Sequence, residues 1–116
     1  MNLNQIARKC HMQAVKSGFY SFEEDTRHFI ARFCSNLHAE ISELWEAFRK
    51  GQIDEPCDKP VQVHGRAMTC KEEELADILI RTLDACSHLG IDADACVAAK
   101  MEYNESRPFR HGGKAA

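Results

Sequence analysis

Four acids stand in two matched pairs, Glu40 with Glu43 and Glu74 with Asp77. Each pair is spaced i, i+3, so on a helix both carboxylates point the same way. Two such helices side by side place four carboxylates around one volume. Like charges held that close repel and raise one another's pKa; a bound cation relieves the repulsion. Hard oxygen ligands of this kind suit Mg²⁺, or Mn²⁺ in its place. Mg²⁺ keeps several waters and takes the rest of its shell from substrate phosphates. The plain alternative is a solvated acidic face, which is common on surface helices. Glu72, Glu73 and Glu74 can also favour the positive end of a helix dipole, but that effect fades beyond the first turn.

A second constellation is basic. Lys100, Asn104 and Arg107 are spaced by four and three and share one helix face. Arg110, His111 and Lys114 follow in a tail containing Gly112 and Gly113. Lysine supplies a point charge and arginine a fork that matches phosphate oxygens. A flexible tail of this composition can close over a bound nucleotide. Arg81 lies on the strip of Glu74, Asp77 and Asp84, where it can reach phosphate or pair with Asp77 or Asp84. The plain alternative for Lys100 to Arg107 is a helix end whose cations favour the negative dipole terminus.

The elements that must position these groups read as helices. Leu3, Ile6, Cys10 and Ala14 recur at helical spacing over about Asn4 to Ser17, and Gly18 suits the stop. A second helix runs from about Thr26 to Lys50. Its apolar stripe is Ile30, Phe33, Leu37, Ile41, Leu44 and Phe48, with Trp45 widening it and Gly51 ending it. Asn36, Glu40 and Glu43 form a strip along one flank of that stripe. Residues 51 to about 68 hold Pro56, Pro60, Gly51 and Gly65 and read as a long loop. Thr69 and Glu72 make a capping-box pair opening a third helix that Gly90 ends. There the stripe Leu75, Ile78, Leu79, Thr82, Leu83, Cys86 and Leu89 lies roughly opposite the acids. Asp92 caps a fourth helix, about Ala93 to Ser106, with Val97 and Met101 expected to face inward and Pro108 limiting its continuation. The aromatics Phe19, Tyr20, Phe22, Phe29, Phe33 and Trp45 are candidates to stack a base, although at helical spacing such residues are more often core. Val61-Gln62-Val63 is the only strand candidate and is short. The reading is one all-α domain over residues 1–116.

Composition narrows the function class. With 116 residues and a net charge of −3, the chain lacks the basic face of a nucleic-acid binder. No segment approaches the roughly 20 apolar residues that span a bilayer, and the start is polar, without a signal-peptide core. A cytoplasmic location and no membrane partner are the expectation. Six cysteines without a secretion signal read as free, buried thiols. A domain this small gains by sharing its core with a second copy.

The acidic pairs and the basic ending together resemble a known family. Leu37-His38-Ala39-Glu40-Ile41-Ser42-Glu43-Leu44-Trp45-Glu46-Ala47 is similar to the first motif of the MazG-like nucleoside triphosphate pyrophosphohydrolases, whose pattern is ExxE on one helix and ExxD on a later one. Glu74-Leu75-Ala76-Asp77 matches the second, and KMEYNESRPFRHGGK from Lys100 to Lys114 resembles the C-terminal Lys…Asn…Arg segment. The motif-bearing part covers about residues 26–114. The resemblance implies an all-α, four-helix bundle-type fold completed by oligomerisation, as a homodimer or homotetramer. It implies hydrolysis of a nucleoside triphosphate to the monophosphate and pyrophosphate, as house-cleaning of deoxynucleotides or modified nucleotides. Glu40, Glu43, Glu74 and Asp77 would hold Mg²⁺; Lys100, Asn104, Arg107, Arg81, His111 and Lys114 would meet the substrate. Two features depart from the pattern: Ala39 replaces an acid that many members carry, and the stretch between Glu43 and Glu74 is long. A dUTPase-type member of the superfamily and a helical nucleotide-binding or oligomeric module without catalysis are the alternatives.

Other chemistries fit less well. His38-Ala39-Glu40 with Pro56-Cys57 has the start of a zinc-deaminase signature, but residue 60 is Pro where the second cysteine belongs. Cys57, His64 and Cys70 lack paired zinc-ligand spacing. No ExxH occurs, which argues against a ferritin-like di-iron centre.

Overall fold

A computed structural model describes residues 1–109 of the chain. It is mostly helical: α1 (Leu3–Lys16), α2 (Thr26–Arg49), α3 (Cys70–His88) and α4 (Ala93–Glu105), with a two-stranded hairpin of β1 (Gln62–Val63) and β2 (Arg66–Ala67) between α2 and α3. Each helix opens on a side chain that accepts from an otherwise orphaned backbone N–H. Asn2 and Gln5 form a capping box on α1. Asp25 accepts from His28 on α2. Thr69 and Glu72 form the expected box on α3, and Asp92 accepts from Ala95 on α4.

The hairpin was not expected from the sequence. Its central residues, His64 and Gly65, both have positive φ, 51° and 74°. That is the requirement of the two-residue turn whose twist matches paired strands. Histidine is an uncommon residue for it, so no turn signal shows in the sequence. Glu55 to Cys57 continue the pairing beside Met68 to Cys70, through a bridge between Pro56 and Thr69.

Helix α3 lies between α1 and α2 and packs on both. Phe29 of α2 is 2% exposed, the one large side chain fully buried among the described residues. Its ring lies 4.2 Å from His88 and 5.8 Å from Tyr20. Arg32 sits over both the Tyr20 and Phe29 rings and makes a two-pronged pair with Glu24 at 2.8 and 2.9 Å. Helices α1 and α4 meet only at their starts. Asp94 accepts from the Leu3 and Asn4 backbones, and Asn4 bonds Asp92 and the Ala93 N–H.

Two expectations about facing are corrected. Val97 and Met101 were expected to face inward, yet both are exposed, Met101 by 59%. The stripe of α2 is partly turned out: Ile30, Ile41, Trp45 and Phe48 are exposed, whereas Phe33, Leu37 and Leu44 are half-buried and Glu40 faces α3. The reason is the seam itself. Phe29, Phe33, Asn36, Leu37, Glu40, Leu44 and Ala47, recurring at helical spacing, form the covered side of α2, and that side is centred between the apolar stripe and the strip of acids. On α3, Leu75 and Leu79 are likewise exposed. The six cysteines are free, but Cys34 and Cys96 are exposed and the other four half-buried, so none is a core thiol. No helix among the described residues is long and apolar enough to cross a membrane.

Candidate metal centre and adjoining cleft

The seam between α2 and α3 runs antiparallel, because Phe29 meets His88 near one end and Glu40 meets Arg81 further along. This register carries the second acidic pair to the first. One oxygen each from Glu40, Glu74 and Asp77 lie within 4.8 Å of one another. Glu43 stands on the open side, outside that group of three, and its charge acts on Glu74.

Glu40 is only 8% exposed. Its Oε1 accepts from Arg81 Nε at 2.8 Å. Its Oε2 is buried and has no hydrogen-bond donor among the described residues, and the same is true of Glu74 Oε2. A buried carboxylate oxygen without a donor is costly. Two of them side by side can be satisfied by sharing a proton or by binding a cation.

The electrostatics agree. Burial first, then the charge of Glu43 and the hydrogen-bonding proximity of Glu40 and Glu43, push the Glu74 carboxyl up to about 7. Asp77 is also raised, by burial and then by Glu40 and Glu73, with Arg81 and Lys59 pulling the other way. Arg81 bonds Glu40, whereas the sequence left it to reach phosphate or to pair with Asp77 or Asp84.

The donor set fits a hard divalent ion. It offers carboxylate oxygens only, one pair of them orphaned, and leaves open space for water and phosphate on one side. Glu40, Glu74 and Asp77 would hold such an ion, with Glu43 beside them.

Next to the acids a cleft of about 450 Å³ runs toward α1. This lies within the usual size of small-molecule sites. Glu40, Asp77 and Arg81 line it together with Gln13 and Ser17 of α1 and Phe19. Asp84 lines it too, and is held by the Tyr20 hydroxyl at 2.9 Å and by His11 Nδ1 at 2.8 Å. Burial, and then the Asp84 bond and charge, raise the Tyr20 phenol far above its usual range, so it stays a donor.

The predicted substrate-binding residues divide. Arg81 is at the acids. Lys100, Asn104 and Arg107 are not: they ride on or just past α4, which packs on neither α2 nor α3 beyond an incidental approach. Their cations lie over Tyr103, Lys100 Nζ at 4.5 Å and Arg107 at 5.6 Å from the ring centre. His111 and Lys114 lie outside the described residues. Of the proposed base-stacking aromatics, Phe29 is core and Phe19 borders the cleft.

Sequence reasoning missed Lys59. The 51–69 connection brings its Nζ to 3.1 Å from Glu73 and 2.8 Å from Asp58, where its charge acts on Asp77. It also missed the bond between His11 and Asp84, 73 residues apart. Neither follows a helical spacing, so no local signal marks them.

Comparisons with protein-family models, curated proteins and solved structures gave no match.

Proposed function

We propose that this chain is a Mg²⁺-dependent nucleoside triphosphate pyrophosphohydrolase that converts a (deoxy)nucleoside triphosphate and water to the monophosphate and pyrophosphate. The observation that carries the reading is the pair of donorless, buried oxygens on Glu40 and Glu74 beside Asp77, adjoining a cleft of nucleoside size that Glu40 and Asp77 line. The resemblance of both acidic motifs to the MazG-like pattern supports it.

In this reading Glu40, Glu74 and Asp77 bind the cation and Glu43 guards its open side. A bound Mg²⁺ supplies charge neutralisation at phosphate oxygens and lowers the pKa of a water. Arg81 fixes the Glu40 carboxylate and leaves its second oxygen for the ion. Asp84, clamped by Tyr20 and His11, gives the cleft a fixed polar lining, which can accept from a base or sugar edge. Lys59, bonded to Asp58 and Glu73, adds positive charge felt at Asp77. The preferred substrates are deoxynucleotides or modified nucleotides.

The test is pyrophosphate release from a panel of standard and modified nucleoside triphosphates, with and without Mg²⁺. Metal-dependent release that Asp77→Asn removes, at unchanged helicity, is expected. Absence of release from every nucleotide, or full activity in Asp77→Asn, contradicts the reading.

A further inference from the structure

Glu72, Glu73 and Glu74 stand in a row in the first turns of α3, and each meets a different partner. Glu72 closes the capping box with Thr69 and takes both prongs of Arg66 at 2.7 Å. Glu73 accepts from Lys59 Nζ at 3.1 Å. Glu74 keeps a buried oxygen without a donor and lies in the group with Glu40 and Asp77. Both cations that sort this row come from the long stretch between the two acidic motifs.

That stretch fixes its cations in place. The Cys57 N–H donates to the Met68 carbonyl and the Met68 N–H to the Val61 carbonyl, so the chain on both sides of Lys59 is tied to one residue. Pro60 locks a backbone dihedral between those ties. The Cys70 N–H to Glu55, the Lys71 N–H to Ile53, and the Lys71 side chain to Asp54 fasten the loop to the start of α3.

Lys59 is 58% exposed, and an ion pair that open to water adds little to stability. Its consequence is where it leaves Glu73. Glu73 is one turn before Asp77 on the same face of α3, with its side chain only 15% exposed. The charges of Glu73 and Lys59 both act at Asp77, in opposite directions. Without the lysine, one more free carboxylate would stand beside Glu40, Glu43, Glu74 and Asp77.

We propose that Lys59 is a positioning residue of the metal centre: it holds Glu73 off the cation, so that the ion keeps open positions for phosphate. This role rests on the metal-dependent function proposed above. Three carboxylates leave half of an octahedral Mg²⁺ shell to water and phosphate oxygens. A further carboxylate would tighten the hold on the ion and occupy one of those positions. Loss of Lys59 therefore moves ion affinity and use of substrate in opposite directions, whereas a merely loosened loop moves them together.

Mn²⁺ alone is the probe, with electron paramagnetic resonance reading its affinity and water-proton relaxation reading the waters left on the bound ion. Lys59→Met should bind Mn²⁺ roughly three- to tenfold more tightly, the scale of one charge freed near a divalent ion at high effective dielectric. Relaxation enhancement per bound ion should drop by about a third, as one of three waters is replaced, and kcat/KM for a nucleoside triphosphate should fall. Lys59→Arg should retain wild-type values. In a Glu73→Gln background, Lys59→Met should change Mn²⁺ affinity by less than about twofold, because the two residues act as one unit. Unchanged or weaker Mn²⁺ binding in Lys59→Met, where wild type binds, overturns the role of Lys59 and leaves the function standing. The same tightening in the Glu73→Gln background also overturns it, because Lys59 would then act as a distant charge. Wild type that binds no Mn²⁺ removes the function and this role together.

Discussion

The α2–α3 seam and the α4 arm start alike and end differently. Both rest on helices opened by an acid or hydroxyl cap. The seam then buries a glutamate, Glu40, among half-buried neighbours, while the arm leaves even its apolar side chains in water. The chain covers a carboxylate at one place and exposes Trp45 and Met101 at others. The lesson is that burial on α2 includes a carboxylate of the acidic group, Glu40, while apolar side chains of both regions stand exposed.

The sharpest way to break the comparison is at Glu40. Glu40→Gln should lower pyrophosphate release on the order of 1,000-fold, since loss of groups that merely support metal ligands already costs about 10- to 100-fold. Far-UV circular dichroism should not change. Retained activity would make the seam structural only.

Stability sharpens it next. Phe29→Ala removes the one fully buried large ring and should cost about 3–5 kcal/mol, measured by urea denaturation. Met101→Ala, on the bare arm, should cost less than about 0.5 kcal/mol at dilutions where the chain is monomeric. Equal costs would mean that arm and seam are packed alike.

Kinetics of the arm come third. Lys100→Ala/Arg107→Ala, whose cations lie over Tyr103 and not at the acids, should change kcat/KM by less than about threefold, the usual effect of a surface substitution. Binding of Mn²⁺ to the acids should be unaffected. A loss of Mn²⁺ affinity would place the cations among the groups that hold the metal ligands.

The smallest effect is in pH. Glu74 rises from an ordinary value near 4.5 to about 7 in the folded chain. A raised carboxyl favours folding while protonated, so its stabilisation is full below the ordinary value and is lost as pH climbs through about 7. Metal-free protein should melt a few degrees lower at pH 8 than at pH 5.5, and Glu74→Gln should flatten that slope. The lowered acids, such as Asp25 and Asp92, titrate below this window and do not mask it. A melting temperature that rises over the same range would contradict the placement of Glu74.

Much of the seam was legible in the sequence. Thr69 with Glu72, Asp92, Gly18, Gly51 and Gly90 mark helix ends by local chemistry, and the structure puts boundaries there. The i, i+3 acids are a local pattern too, and three of the four meet in one group. Facing was not legible. The stripe of α2 gives its apolar side but not whether its own chain covers it, and Val97 and Met101 misled for the same reason. Contacts set by the tertiary register alone were also hidden: Arg81 with Glu40, Lys59 with Glu73, and His11 with Asp84.

The central claim is tested most directly by Mn²⁺ titration followed by electron paramagnetic resonance at pH 8, in wild type and in Glu40→Gln. The account predicts saturable binding of at least one ion per wild-type chain and its loss in the variant. Wild-type protein that leaves the Mn²⁺ signal unaltered, or a variant that binds as tightly, would contradict it.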